Sequence, residues 1–227
     1  MGLTIATFVP DGIVLSSDSL AEVRNQDDGY TQTENRKIFV KSGRFVIAFE
    51  GSLFIEGLPI SAYVPSLFPS EINNLTVRQF AESLRNNINS RFPDEPFMAY
   101  VAGFDHPSYH EACPAVYFID DMNITCINQS PEGKPVYNFH SIGRTFWVNR
   151  LMLQAKAFVG DDTIELVKYD IDFTKYSTAF AKRFSESLIK LSESMDSFSQ
   201  LKRMIGGKLQ TAILSNDGEV NFYDFED

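Results

Sequence analysis

The chain has 227 residues, 44% of them hydrophobic, and its 20 basic and 30 acidic residues give a formal net charge of −10. A chain of this length buries about 70% of its unfolded surface, so its core needs neither disulfides nor metals. Phosphate binding draws on several lysines or arginines on one face, and the sequence has no basic cluster, so nucleic acid is excluded as a partner. We expect a single globular domain spanning residues 1–227.

Cysteine usage and hydropathy exclude further classes of protein. Cys113 and Cys126 are too few for a disulfide framework, and no Cys/His cluster has metal-ligand spacing. We therefore expect no metal and no cofactor. No apolar run reaches the roughly 18 residues of a membrane span, and no basic segment of the signal-peptide type opens the chain. A cytoplasmic protein without a membrane partner is expected.

The first fifty residues have the composition of strands. Strands are predicted at 3–9 and 13–17 around the Pro10-Asp11-Gly12 turn, because Asp-Gly between two β-rich runs is a strong hairpin signal. A polar loop is predicted at 21–35. Two more strands follow, at 37–41 and 45–50.

The middle of the chain changes to helical spacing. Thr76 and Gln79 form a capping-box pattern ahead of apolar residues spaced by three and four. These residues are Val77, Phe80, Leu84, Ile88 and Phe92. Strands are then predicted at 97–103, 115–120 and 123–128.

Two helices and a hairpin complete the predicted order. One helix is expected from Phe146 to about Phe158, and a longer one carries an apolar stripe at helical spacing. The stripe is Tyr176, Phe180, Phe184, Leu188, Leu191 and Met195. Strands at 208–215 and 219–225 close the chain. Antiparallel hairpins at both ends exclude a regular βαβ alternation and predict an α+β fold of two antiparallel sheets, stacked face to face and covered by helices.

Common catalytic motifs are absent. The sequence has no G-x-S-x-G elbow, no H-E-x-x-H, no Walker A motif and no G-x-G-x-x-G loop. His106, His110 and His140 lie in contexts typical of surface or packing residues, so a conventional triad is not expected.

Several short segments occur in a characteristic order near the two ends of the chain. The first group is the Asp11-Gly12 turn, the Asp18-Ser19 pair, Lys37-Ile38 and the strand ending at Gly51. The second group is Gly206-Gly207, the strand that follows it and the Asp217-Gly218 turn. This set resembles the proteasome β-subunit type of N-terminal-nucleophile hydrolase. The resemblance implies a four-layer αββα sandwich. In that family an N-terminal Thr supplies nucleophile and base, a Lys and an Asp assist it, and a backbone N–H stabilises the oxyanion.

The match to those roles is partial. By resemblance Asp18, Lys37 and Gly51 correspond to the aspartate, the lysine and the oxyanion-hole glycine, and the separation of Lys37 from Gly51 equals the family's. Asp18 and Lys37 are either a site of this kind or a purely structural ion pair. Gly2 stands at the nucleophile's position, and the nearest hydroxyl, Thr4, is about 7 Å further along a strand.

Other supporting positions also depart from the family pattern, at Arg144, Lys202 and Ile205. We therefore expect the fold without threonine-peptidase activity, in a structural or binding subunit. The alternative is a self-activating amide hydrolase or peptidase that uses Thr4 with Lys37 and Asp18. The resemblance also implies a homo-oligomer, with Phe146 and Trp147 as candidate contacts, and allows a peptide or protein ligand.

Overall fold

The computed structural model describes residues 2–24, 30–69, 72, 74–105, 114–152, 156–159, 162–165, 171–198 and 204–224. The helices in these ranges are α1 (Ile60–Leu67), α2 (Val77–Arg91), α3 (Phe146–Met152) and α4 (Thr178–Phe198). The strands are β1 (Leu3–Val9), β2 (Gly12–Asp18), β3 (Leu20–Arg24), β4 (Tyr30–Glu34), β5 (Ile38–Lys41), β6 (Phe45–Gly51), β7 (Phe54–Ile55), β8 (Leu58–Pro59), β9 (Phe97–Gly103), β10 (Ala115–Asp120), β11 (Ile124–Cys126), β12 (Phe139–Gly143), β13 (Lys156–Val159), β14 (Asp162–Glu165), β15 (Leu209–Ser215) and β16 (Val220–Asp224). None of the helices described is long and apolar enough to cross a membrane.

Two five-stranded antiparallel sheets form the centre of the molecule. The first has the strand order β12-β1-β2-β15-β16 and the second the order β11-β10-β9-β6-β5. Helices α3 and α4 cover the outer face of the first sheet, while α1 and α2 cover the second. The α+β class and the four-layer αββα order predicted from the sequence are confirmed.

Alternation along the strands assigns side chains to the layers. In β1, Leu3 and Ile5 pack towards α4, whereas Ala6 and Phe8 lie between the sheets around Tyr100. Successive side chains of a strand point to opposite faces, so this parity holds along the whole strand. In β6 the same rule sends Val46 and Ala48 between the sheets and Phe45, Ile47 and Phe49 towards α2.

Several predicted boundaries agree with the structure. The strands at 3–9, 97–103 and 115–120 have the predicted limits, and the predicted hairpins β1–β2 and β15–β16 are both present in the first sheet. The capping box is also formed: the Thr76 hydroxyl accepts from the Gln79 N–H at 3.2 Å, and the Gln79 side chain accepts from the Thr76 N–H at 2.9 Å.

The polar loop predicted at 21–35 is wrong. Residues Leu20–Arg24 and Tyr30–Glu34 pair as an antiparallel hairpin, β3 with β4. Strand β4 is exposed along most of its length, so it lacks the apolar alternation by which a strand is ordinarily detected. Its Thr and Tyr residues nevertheless favour extended backbone.

The helix predicted from Phe146 ends at Met152, well before Phe158. Beyond it, Lys156–Val159 pairs with Asp162–Glu165 as a two-stranded ribbon. The Gly160-Asp161 dipeptide between these segments is a typical hairpin sequence, and β-favouring residues flank it. The prediction of a helix that continues to about Phe158 overlooked this signal.

Helix α4 packs on the first sheet as predicted, with Phe180, Phe184 and Leu188 of the predicted stripe in contact with the core, but the centre of its buried face is shifted. Leu191 is 45% exposed, whereas Ala181, Ser185 and Ser192 are fully buried. The Ser16 hydroxyl of β2 lies 2.7 Å from that of Ser185. The buried face is therefore rotated from the predicted stripe, because small residues allow the helix to approach a sheet surface that itself presents hydroxyls.

Candidate functional site

A cluster of three buried charged side chains lies between the sheets at the start of β1. The Lys37 Nζ is 2.7 Å from Asp18 Oδ1 and 3.2 Å from Glu50 Oε1. None of the three residues is more than 1% exposed. The proximity of Asp18 and Lys37 predicted from the sequence is confirmed.

Local structure explains how the three side chains meet. Asp18 ends β2, Lys37 directly precedes β5, and Glu50 lies on the inter-sheet face of β6. Lys37 is fixed further by its backbone, since its N–H donates to the Gln210 side chain at 2.9 Å. The cluster therefore joins strands of both sheets.

The carboxylates also hold the first residues of the chain. Asp18 Oδ1 accepts from the Leu3 N–H at 2.8 Å, and its Oδ2 accepts from the Gly206 N–H at 2.9 Å. Glu50 Oε2 accepts from the Gly2 N–H at 3.1 Å. Each carboxylate thus accepts from the Lys37 ammonium through one oxygen. Asp18 accepts from main-chain N–H groups through both of its oxygens, and Glu50 through the oxygen that does not contact Lys37. These bonds satisfy most of the acceptor capacity of both carboxylates.

The charges of the cluster do not cancel. Two carboxylates face one ammonium, so one negative charge is in excess if all three groups ionise. Burial raises the pKa of the Glu50 carboxyl, against the lowering effect of the Lys37 ammonium. Burial alone would lower the pKa of Lys37, but the carboxylates of Glu50 and Asp18 together raise it above its usual value.

Position 2 has no room for a side chain. A Cβ built on Gly2 would overlap Lys37 Nζ and Asp18 Oδ1. Both atoms are held by their ion pair, so a larger residue at position 2 has to displace that pair. The lysine and aspartate fill the space that a side chain at position 2 would occupy.

Thr4 contacts Glu50 instead of the Lys37–Asp18 pair. Its hydroxyl lies 2.8 Å from Ser17 Oγ and 2.9 Å from Glu50 Oε1. The residue is fully buried, and β1 is paired on both sides, with Ser17 and Ile142 opposite Thr4. The hydroxyl therefore has partners but no path to solvent.

Gly51 opens onto a different space. It has a φ of +101°, and a Cβ there would lie 2.6 Å from the Pro96 carbonyl oxygen, so the backbone requires glycine. Gly51 lines a cavity of about 790 Å³ to which Thr4, Asp18 and Lys37 do not contribute. The ion cluster and Gly51 therefore do not share one cleft: the cluster is closed, and Gly51 lines a separate, open cavity.

The remaining positions singled out in the sequence have packing roles where they are described. The Arg144 N–H donates to the Gly2 carbonyl at 2.6 Å, and Ile205 is buried beside Leu3. His140 Nδ1 lies 2.6 Å from the Tyr100 hydroxyl. Lys202, His106, His110 and Cys113 lie outside the described residues.

Sequence reasoning missed Glu50. Its signal was a single carboxylate directly after the apolar run 45–49, at a position whose parity matches Val46 and Ala48. A charge placed by alternation between two sheets must have a partner, because burying an unpaired carboxylate is costly. Combined with Lys37, that pattern points to a buried cluster.

Comparison with known proteins yields structural similarity alone. No family profile and no curated protein sequence matches the chain. Many solved structures resemble it, among them three that align with 99% of its length. Anbu (ancestral β-subunit) from Yersinia bercovieri has a TM-score of 0.61 and 15% identity, with 87% of that chain covered. The helical assembly of the Anbu complex from Pseudomonas aeruginosa has a TM-score of 0.65 and 16% identity, again with 87% covered. The Anbu (Gly-1) mutant from Hyphomicrobium sp. strain MC1 has a TM-score of 0.65 and 12% identity, with 86% covered.

The chain has a proteasome-like fold. At identities of 12–16% the likeness establishes the fold and nothing finer. The function must therefore be argued from the geometry around Gly2.

Proposed function

We propose that the chain is a proteasome-like subunit that has lost threonine-peptidase activity and acts as a structural or binding subunit. The observation that carries the proposal is the occupied space at Gly2. Lys37 and Asp18 pair at 2.7 Å there, and no hydroxyl can be added without displacing them. The residues that would activate a nucleophile instead hold main chain.

Use of Thr4 in place of Gly2 would dismantle this arrangement. A free α-amine at Thr4 requires loss of Gly2 and Leu3, whose N–H groups bond Glu50 and Asp18. Leu3 is also fully buried against α4 and is paired with Gly143. Removal of these residues would expose apolar core, deprive Glu50 of its Gly2 N–H donor and leave Asp18 with only the Gly206 N–H of its two backbone donors.

An acyl-transfer site also needs a reachable nucleophile. The candidate oxyanion donor at Gly51 lines the cavity, whereas Thr4 is buried in the closed cluster. Without the nucleophile, only oxyanion and binding contributions remain, and these give a small residual catalysis over water.

A structural role is supported by the outer helical layer. Phe146, Leu191 and Phe198 are 45%, 45% and 85% exposed on α3 and α4. The Pseudomonas aeruginosa structure is described as a helical assembly. We therefore include self-association of this chain through α3 and α4 in the proposal, since closed or helical homo-oligomers are what a single chain type forms.

Peptide hydrolysis is the direct test of lost activity. A panel of fluorogenic peptides should be cleaved by the protein no faster than in buffer. Thr4→Ala and Thr4→Ser serve as the matched variants, one lacking and one keeping the hydroxyl. Cleavage by the unaltered protein and by Thr4→Ser, abolished in Thr4→Ala, would overturn the proposal in favour of the Thr4 hydrolase.

A further inference from the structure

The ion cluster around Glu50 has too few cations for its acids. Asp18 and Glu50 face a single ammonium, that of Lys37, and all three side chains are buried. Arg144 reaches the cluster through its main-chain N–H, which donates to the Gly2 carbonyl. Among the described residues, its guanidinium forms no salt bridge with either acid. An uncompensated buried carboxylate is costly, and such a group takes up a proton instead.

The hydroxyl groups beside Glu50 indicate where that proton lies. Ser17 Oγ is 2.9 Å from the Asp18 carbonyl oxygen and 2.8 Å from Thr4 Oγ1. Thr4 Oγ1 in turn is 2.9 Å from Glu50 Oε1. Each of these three contacts joins two oxygen atoms and therefore needs one proton. The two hydroxyls supply two protons and the carbonyl supplies none, so a proton on Glu50 Oε1, donated to Thr4, completes the set.

Asp18 has no comparable place for a proton. Its Oδ1 accepts from the Leu3 N–H and from Lys37 Nζ, and its Oδ2 accepts from the Gly206 N–H. All three neighbours are donors, so a proton on either oxygen would meet another hydrogen atom. Burial also raises the pKa of the Glu50 carboxyl, which favours its neutral form.

We propose that Glu50 holds a proton when the protein is folded at neutral pH, and that this proton makes the closure of the start of β1 over the cluster dependent on pH. With the proton in place, Asp18 and Lys37 are a neutral pair. When the proton passes to solvent at higher pH, the Thr4 hydroxyl must turn to the new carboxylate, and the cluster gains an unpaired negative charge. Water reaches that charge when Gly2 separates from it, so the start of β1 should open more often.

Two further titratable residues lie near this layer. Burial raises the pKa of Tyr100, and the charge of Glu50 raises it further, so the phenol stays protonated while Glu50 titrates. Burial lowers the pKa of His140, whose ring is therefore neutral above pH 6.5. On the side of β12, a Cβ at Gly143 would lie 3.2 Å from Glu50 Cδ, so main chain closes the cluster there.

Carbon NMR of protein labelled with ¹³C at glutamate Cδ detects the proton directly, because the chemical shift of this carbon differs between carboxyl and carboxylate. The Glu50 signal is the one that is missing from Glu50→Gln, and sequential assignment identifies it if that variant does not fold. We expect the carboxyl value at pH 7 in the folded protein and the carboxylate value in urea at the same pH. A carboxylate value in the folded protein at pH 7 would overturn the proposal.

The pH dependence of stability is an independent test. Above the ordinary glutamate pKa of about 4.3 the unfolded chain has released this proton, whereas the folded protein retains it. Stability therefore falls as pH rises, up to the raised pKa of the folded state. Between pH 5.5 and pH 7 the folding equilibrium constant should fall, relative to that of Glu50→Gln, by about tenfold per pH unit, the value for one proton. Parallel profiles of the two proteins would contradict the proposal.

Hydrogen exchange tests the opening of β1. Protection factors compare each amide with an unstructured peptide at the same pH, which removes the intrinsic effect of pH on exchange. Protection of the Leu3 N–H should fall at least tenfold relative to that of Ile47, in the centre of the second sheet, as Glu50 loses its proton. In Glu50→Gln it should stay constant over the same range. Constant protection of Leu3 in the unaltered protein, or a Glu50 that keeps its proton until the protein unfolds, would refute the pH-dependent closure.

Discussion

At the scale of single residues, the central feature is a buried ion cluster with one more carboxylate than ammonium. Lys37 bonds Asp18 at 2.7 Å and Glu50 at 3.2 Å, and the carboxylates bond the main chain of Gly2, Leu3 and Gly206. A buried pair adds little net stability over apolar residues, but the loss of one partner strands the other charge. Mutation of the single ammonium and mutation of one of the two carboxylates should therefore have very different effects on the free energy of unfolding.

We expect Lys37→Met to lower the free energy of unfolding by about 3–5 kcal/mol, because it leaves two buried carboxylates without a cation. Glu50→Gln should lower it by less, about 1–2 kcal/mol, since it removes the source of the excess charge but leaves an amide NH2 facing either the Lys37 ammonium or the Gly2 N–H. Urea unfolding at pH 7 measures the change in free energy for both variants, provided that the dependence of that free energy on urea concentration is the same as in the unaltered protein. Similar losses in the two variants would contradict the charge assignment.

A second residue-scale prediction concerns His140, which joins the sheets through Tyr100. Burial raises the pKa of Tyr100 well above its usual value, so the phenol keeps its proton, and its oxygen lies 2.6 Å from His140 Nδ1. Burial also lowers the pKa of His140, so folding favours the neutral ring. This contribution to stability is complete above the unfolded pKa of about 6.5 and is lost as pH falls through the lower folded pKa.

The measurement is the free energy of unfolding between pH 7.5 and pH 5. Over this range the unaltered protein should lose more stability than His140→Phe, because only the former must protonate a buried ring. Parallel pH profiles for the two proteins would show that His140 does not contribute to the loss.

At the scale of elements, alternation predicted most strands, and helical spacing predicted the buried face of α2 in full but that of α4 only in part. The limits of β1 follow from an apolar run ended by an Asp-Gly turn, and both signals are local. Hairpin β3–β4 escaped prediction because its exposed residues carry no apolar pattern. The face of α4 depends on the sheet it meets, where Ser16 and Thr211 favour small polar partners over the Phe and Leu stripe.

The rotated face of α4 gives a matched test. Ser185→Leu adds volume against Ser16 in a fully buried position and should lower the free energy of unfolding by about 1–3 kcal/mol. Ser187→Leu makes the same change on the exposed side and should stay within about 0.5 kcal/mol of the unaltered protein. Thermal melts of the two variants distinguish the faces, and a larger loss for Ser187→Leu would refute the packing.

At the scale of the molecule, the predicted site was only partly recoverable from the sequence. Asp18 and Lys37 lie together as the resemblance implied, yet Gly51 faces a separate cavity and Thr4 faces Glu50. Sequence spacing identifies residues that a fold can bring together. It does not reveal which space they share, since that depends on how the two sheets are stacked and on what fills position 2.

Self-association belongs to this scale as well. We expect light scattering to give a multiple of 25.7 kDa at micromolar concentration. The double variant Phe146→Glu with Phe198→Glu should have a lower mass by light scattering, because it places charges on the exposed apolar side of α3 and α4. Leu58→Glu, exposed on the opposite layer, is the control. A monomeric mass for the unaltered protein would contradict assembly through these helices. The same reduction in mass for Leu58→Glu as for the double variant would also contradict it.

The central claim is that no nucleophile is available beside Lys37, because Gly2 has no side chain and Thr4 is enclosed by Ser17 and Glu50. The intact mass of the purified protein, measured before and after incubation with a threonine-directed epoxyketone, tests it most directly. The account predicts an unchanged mass after incubation and no species that begins at Thr4. An epoxyketone adduct, or a truncated chain beginning at Thr4, either of them lost in Thr4→Ala, would contradict it.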